Sequence, residues 1–276
     1  MKTTRPYLPA LAAALAFAAA AAGAPPGGII ASFYVPKISA NGPRGLAFDG
    51  SSYYFVADNR GPKQVRISKF TYDGETASVE SAFNCPADVY WAMDLAYRPG
   101  RIYVASDLTS PENRAKIYVL DEDTGQITNK FNSPFGVGVH VNGLTWDGSH
   151  LYASSYESAL VYRLTFNGSV VGSFASSHAK NHGLAAADSR LWLVSGRPHF
   201  DARQYTTAGA RLATFTFGVN DAYVGGACVG RPSHKTIFVS TYTGARYIYE
   251  IATDPNAYIG VAVEPASLGR IKALFR

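Results

Sequence analysis

The sequence predicts an all-β fold, a five-bladed β-propeller closed by its own N-terminal strand and followed by a short C-terminal tail. Three observations carry that prediction: a phrase that returns five times at spacings of 40 to 49 residues, a four-beat strand pattern after each return, and two complementary half-repeats at the ends. Self-similarity at a period of tens of residues outranks local readings of strand or helix, because each unit buries its apolar face only against its neighbours.

From the start, residues 1–22 have the pattern of a secretory signal peptide. Lys2 and Arg5 stand in front, an apolar run extends from Leu8 to Ala22, and small residues place the expected cut after Ala22. The run is shorter than the roughly 20 residues that span a bilayer, and nothing later is long and apolar enough. The expected mature protein is extracytoplasmic, secreted or periplasmic, with no membrane span. Of 25 basic and 20 acidic residues, two basic ones lie in this leader, which leaves a net charge of +3. Lys and Arg are scattered singly, so no basic stripe points to nucleic acid.

The ring is expected over residues 28–255. Its first strand, IIASFYVP around Phe33, has the register of an outer strand but lacks the three that should precede it. The repeats start at Gly45, Asp94, Gly143, Gly183 and Gly226, in the phrases GLAFDG, DLAYRPG, GLTWDG, GLAAADS and GACVGRPS. Second strands follow, YYFVAD, RIYVASD, LYASSY, LWLVSG and TIFVST, rich in β-branched and aromatic residues. The turn signals Asp49-Gly50, Pro99-Gly100 and Asp147-Gly148 separate the two strands. The third strands, such as VRISKFTYD and ALVYRLTFN, alternate apolar and polar side chains. Four of them run into glycine turns at Gly74, Gly125, Gly168 and Gly209, and each hairpin delivers a fourth strand. Phe83, Phe131, Phe174 and Phe215 mark those fourth strands and are expected in the core. The last repeat has Asp254-Pro255 where the others have glycine, and no Phe phrase follows. The orphan first strand supplies what that repeat lacks, which is ring closure with only short protected edges. A linear solenoid would carry atypical caps instead of complementary halves.

The phrase GLxWDGxxLW, met best by GLTWDGSHLY at Gly143 to Tyr152, with GSF closing the unit, resembles secreted bacterial propellers of the NHL or YVTN-like kind. The likeness covers residues 28–255. Its motifs are structural, so it implies blades and carries no catalytic residue. Plant-type glutaminyl cyclases share the five-bladed shape, but their Gln-Gly-Leu phrase stands at no repeat start here. Fold does not by itself imply function.

Strand direction sorts the loops. Those entering each first strand, and those joining second to third strands, emerge on one face and ring one mouth of the channel. They bring Arg44, Asp58, Trp91, Asp94, Asn142, Tyr156, His182, Arg197, Tyr223 and Tyr242 together as candidate ligand-binding residues, with Asp107, His140 and Glu157 nearby. Aromatic and hydrogen-bonding groups at a mouth suit a glycan or other small polar ligand; a cell-envelope protein is the other expected partner. The opposite face, built of tight turns, is expected to offer little to bind with. His140, His182 and His199 come from different repeats without short ligand spacing, so neither a metal nor a cofactor is expected. The function expected is a non-catalytic binding or scaffold module. The alternative is a secreted hydrolase or lyase using a pair among Asp58, Asp94, Asp107, Glu157 and Asp221, with no spacing rule to choose among them. Ser154, Ser155 and Ser195 lie outside any nucleophile-elbow phrase. Cys85 and Cys228 fall in different repeats and are expected to remain separate thiols. In the tail, residues 256–276, Ile271, Leu274 and Phe275 are expected to pack back on the ring.

Overall fold

The computed structural model describes residues 24–38, 42–107, 110, 112–177, 179–196, 200–218, 224–231, 235–242 and 247–254. The leader 1–22, the tail 256–276, and Arg197, His199, Asp221 and Tyr223 lie outside the described residues.

The chain forms five four-stranded antiparallel sheets arranged in a ring. Ile29–Tyr34 (β1) comes first and joins the last sheet. Blade 1 is Pro43–Phe48 (β2), Tyr54–Asn59 (β3), Val65–Tyr72 (β4) and Ala77–Asn84 (β5). Blade 2 is Ala92–Arg98 (β6), Arg101–Ser106 (β7), Lys116–Asp121 (β8) and Ile127–Asn132 (β9). Blade 3 is Gly143–Trp146 (β10), Leu151–Ser154 (β11), Leu160–Leu164 (β12) and Val170–Ala175 (β13). Blade 4 is Asn181–Ala187 (β14), Arg190–Ser195 (β15), Asp201–Thr206 (β16) and Arg211–Thr216 (β17). Blade 5 is Val224–Val229 (β18), Thr236–Thr241 (β19) and Tyr247–Ala252 (β20), completed by β1. Closure is as expected: β1 runs antiparallel to β20 from Ile29 opposite Ile251 to Tyr34 opposite Tyr247. Backbone bonds from Gly27 N to the Ala252 carbonyl (2.9 Å) and from Ala252 N to the Gly28 carbonyl (3.0 Å) extend the pairing.

Burial falls from the axis outward. Every residue of β3 is buried, because both faces of a second strand are covered by adjoining blades, whereas β9 and β13 have no fully buried residue. The apolar core is therefore five wedges between blades. One holds Phe55, Ile67, Leu95 and Val104 from blades 1 and 2; another holds Phe33, Val56, Phe238 and Ile248 where blade 5 meets blade 1. Cys85 and Cys228 lie in these two wedges as free, buried thiols.

The marker phenylalanines differ from expectation. Phe33 and Phe215 are buried, but Phe83, Phe131 and Phe174 are only half-buried, because outer strands have a neighbouring blade on one side alone. Each of those three rings lies over the hairpin glycine of the next blade: Phe83 over Gly125, Phe131 over Gly168 and Phe174 over Gly209. These glycines have φ of 68°, 89° and 95°, and a Cβ at any of them would overlap the ring. At the junction of blades 4 and 5, Gly27, with φ 85°, lies instead against the Thr216 backbone, and at that of blades 5 and 1 Gly74 lies against the Arg231 guanidinium. No helix among the described residues is long and apolar enough to cross a membrane.

Candidate functional site at the channel mouth

The five repeat starts meet at the axis. Four are glycine and one is Asp94, whose side chain is fully buried where the innermost strands converge. Its Oδ1 accepts hydrogen bonds from Leu46 N (3.1 Å) and Leu95 N (2.9 Å), and its Oδ2 from Leu144 N (2.9 Å) and Leu184 N (3.4 Å). The donors are the residues that follow the repeat starts of blades 1 to 4. The glycines make room: a Cβ on Gly226 would lie 2.5 Å from Asp94 Oδ1, and one on Gly45 would lie 2.8 Å from the Asp94 backbone. Burial pushes the Asp94 carboxyl well up, while the four backbone donors pull it the other way. With both oxygens occupied by backbone, Asp94 ties blades together and does not face a ligand.

The residues one place before the repeat starts are Arg44, Met93, Asn142, His182 and Gly225. In blades 1, 2, 4 and 5 the pairing of first and second strands slips by one residue here, as between Arg44 and Leu46 or between Asn181 and Gly183. Such bulges re-aim side chains next to sites. The Arg44 guanidinium lies 3.7 Å from the centre of the Tyr242 ring and 5.5 Å from that of Trp91, and its Nη1 approaches Met93 Sδ at 3.4 Å. Burial holds its pKa below the usual arginine value, against the favourable fields of Tyr242 and Asp107. A guanidinium between two aromatic faces is fixed in orientation as well as in place.

Across the mouth, His182 is 8% exposed and packs edge-on to Tyr156, with ring centres 5.0 Å apart, over the backbone of Gly196. Burial, aided by the Arg44 charge, lowers its pKa to about 4, so the imidazole is neutral at neutral pH. His140 is the opposite case. Its Nε2 lies 3.1 Å from Asp107 Oδ1 and its Nδ1 2.6 Å from Glu157 Oε1, and hydrogen bonds to those carboxylates raise its pKa to about 10. Although burial pushes the Glu157 carboxyl up, hydrogen bonds from His140 and from Ser155 Oγ (2.7 Å) hold it below its usual value. The mouth thus presents a fixed cation, a neutral imidazole, two aromatic faces near the cation and an imidazolium clasped by two carboxylates.

No family model and no curated protein sequence matches the chain. Among solved structures, the crystal structure of Myxococcus xanthus glutaminyl cyclase is similar at a TM-score of 0.61 and 16% identity, covering 83% of this chain and 99% of that one. Kuenenia stuttgartiensis hydrazine synthase is similar at a TM-score of 0.48 and 14% identity, covering 75% of this chain and 56% of that one. The first likeness is one of fold: a β-propeller.

Of the residues predicted from sequence, the propeller brings Arg44, Trp91, Tyr156, His182 and Tyr242 to one mouth. Asn142 is buried and accepts a hydrogen bond from Tyr156 N (2.9 Å), so it shapes the loop that carries Tyr156. Asp58 is fully buried and paired with Arg60 at 3.1 Å. Asn59 clips blade 1 to blade 2, donating to the Ala92 carbonyl (2.8 Å) and accepting from Ala92 N (2.9 Å). Sequence reasoning missed Met93, whose thioether carries no polar signal; the place just before the repeat start would have found it.

Proposed function

We propose that the chain is an exported β-propeller of the NHL or YVTN-like kind that binds a small polar ligand, a glycan or a molecule of similar hydrogen-bonding character, without transforming it. The observation that carries this reading is the convergence of Arg44, Trp91, Tyr242, Tyr156 and His182 from all five blades on one mouth. Aromatic faces cover the apolar side of a sugar ring while a fixed guanidinium and a neutral imidazole meet its hydroxyls. A protein of the cell envelope that displays such a group is the corresponding partner. Export rests on the leader pattern, and the purified secreted protein should begin at Gly23.

A second reading, a secreted hydrolase or lyase at the same mouth, draws on the neutral His182 imidazole within the field of the Glu157 carboxylate and on the likeness in fold to a glutaminyl cyclase. A thermal-shift panel of oligosaccharides on the mature protein, followed by mass spectrometry of the incubated compounds, separates the two. Stabilisation by an unchanged glycan, lost in the Trp91→Ala, Tyr156→Ala double variant with the apo melting temperature kept, supports binding. Conversion of an oligosaccharide or of a glutaminyl peptide would replace that reading with the enzyme.

A further inference from the structure

The mouth at Arg44 holds charges of both signs, and they are unequally occupied. The Asp94 carboxylate is met by four backbone N–H groups, Asp58 pairs with Arg60, and Asp107 and Glu157 share the His140 imidazolium. Arg44 has no comparable partner. Among the described residues no carboxylate pairs with it: its Nη1 donates only to the Met93 thioether, a weak acceptor, at 3.4 Å, and Asp107 acts on it through its field alone. Its Nε is unpaired and sealed from solvent, whereas Nη2, also unpaired, is not sealed. A partly buried cation without an acceptor is unfavourable, and an anion brought by a ligand would meet it.

The surroundings favour a carboxylate on a sugar. Stacking on Tyr242, with Trp91 on hand, fixes the plane of the guanidinium; its two Nη groups then form a fork of the spacing that takes both oxygens of one carboxylate. The nitrogens of the neutral His182 imidazole are likewise unpaired and not sealed, which leaves a donor and an acceptor for hydroxyl groups. The other end of the channel does not compete for an anion. The turn face there is not closed, contrary to expectation: the turns at Asp49-Gly50, Pro99 and Gly148 surround a cavity of about 550 Å³, whose room comes from Ala47, Ala96 and Ala186 on first strands. That lining sets Asp49, Asp188 and Asp254 against Arg190 and Lys235, and a surplus of acid repels an anion.

On the reading of the Arg44 mouth as a glycan site, we propose that the glycan is acidic, a chain containing uronic acid whose carboxylate accepts hydrogen bonds from the Arg44 Nη groups. The carboxylate takes the place of the Met93 thioether as partner of the guanidinium, and hydroxyl groups of the sugar meet His182.

Calorimetric titration of the full chain with trigalacturonic acid, with a hyaluronan tetrasaccharide and with the methyl ester of each provides the test, since esterification removes the charge and keeps the sugar. At least one acid should bind about 20-fold more tightly than its ester, the worth of a charge-assisted hydrogen bond. Arg44→Gln should bring acid and ester within about twofold of each other, and Arg44→Met serves the same purpose if the first variant does not fold. Ala186→Phe, which fills the far cavity, should leave the acid's affinity as in the parent, with Ala96→Leu as its substitute. Acid and ester bound alike, a preference for acid that survives the loss of Arg44, or acid binding lost in the cavity variants would each overturn the proposal. Acetate that displaces the acid at equal concentration would overturn it too, since the carboxylate without the sugar would then suffice. An ester bound as well as the acid sinks the acidic glycan alone, whereas no binding of either form sinks the glycan reading with it.

Discussion

Asp94 occupies the place that glycine holds in the other four repeats, and its carboxylate accepts backbone hydrogen bonds from four blades. Burying a carboxylate is costly unless its lone pairs are met; here four N–H groups meet them. Asp94→Asn keeps the volume but turns an NH₂ group toward two of those donors. It should cost about 2–4 kcal/mol in urea unfolding, because buried donors are left unpaired. A change under about 1 kcal/mol would mean that the ring does not depend on this network. His140 makes a prediction in pH. Its ordinary pKa of 6.5 is raised to about 10 in the folded ring, so the folded protein keeps a proton that the unfolded chain has lost. The resulting stability is complete below pH 6.5 and drains away as pH rises toward 10. Because the imidazole is 33% exposed, solvent screening keeps the effect modest. The parent's melting temperature should fall across that window relative to His140→Gln, whose curve lacks this slope. Parallel curves would show that the imidazolium is not held by Asp107 and Glu157.

At the scale of the strand, the glycine turn and the phenylalanine phrase of the repeat are two halves of one contact. The hairpin glycines Gly125, Gly168 and Gly209 are each overlain by the marker ring of the preceding blade, as Gly209 is by Phe174, whereas Gly74 lies against the Arg231 guanidinium. Gly209→Ala would meet both a strained φ of 95° and the Phe174 ring, and should cost about 1–3 kcal/mol. Phe174→Ala, which empties a half-buried site, should cost about 2 kcal/mol, less than the 3–5 of a fully buried aromatic. The pair tests the contact: once Phe174 is alanine, Gly209→Ala should cost clearly less than it does in the parent. Additive costs would mean that turn and ring act separately. From the sequence, both motifs were legible as a turn and a strand marker. That they belong to neighbouring blades was not, because the contact spans a junction that no local pattern encodes.

For the whole molecule, closure rests on β1 completing the last blade, with Gly27 ahead of it lying against the Thr216 backbone of blade 4. Removing residues 23–38 bares the edge of β20 and strips the Phe33 ring from its stack on Tyr72, where the centres lie 3.9 Å apart. An exposed edge strand pairs with other chains. The truncated protein should leave the monomer peak in size-exclusion chromatography and aggregate on mild warming. A monomer melting within a few degrees of the parent would show that the ring is closed by other means.

The sequence by itself determined the number of blades, the order of their strands and the half-repeat that closes the ring, because a repeated unit writes its hydrophobic period and its turns into the chain at fixed spacing. It also located the face where Arg44, Trp91, Tyr156, His182 and Tyr242 gather, since strand direction alone sorts loops to one end or the other. Only the tertiary structure decided what those residues do. Asp58 and Asp94 were legible as carboxylates near the mouth, yet burial and partners supplied by other blades make one an ion-paired strand end and the other the tie at the axis. His140 and His182 have the same side chain, and their surroundings drive their pKa values in opposite directions. The cavity at the turn face was equally hidden: its room comes from alanines in three separate repeats, and space enclosed between strands distant in sequence leaves no mark on any one of them.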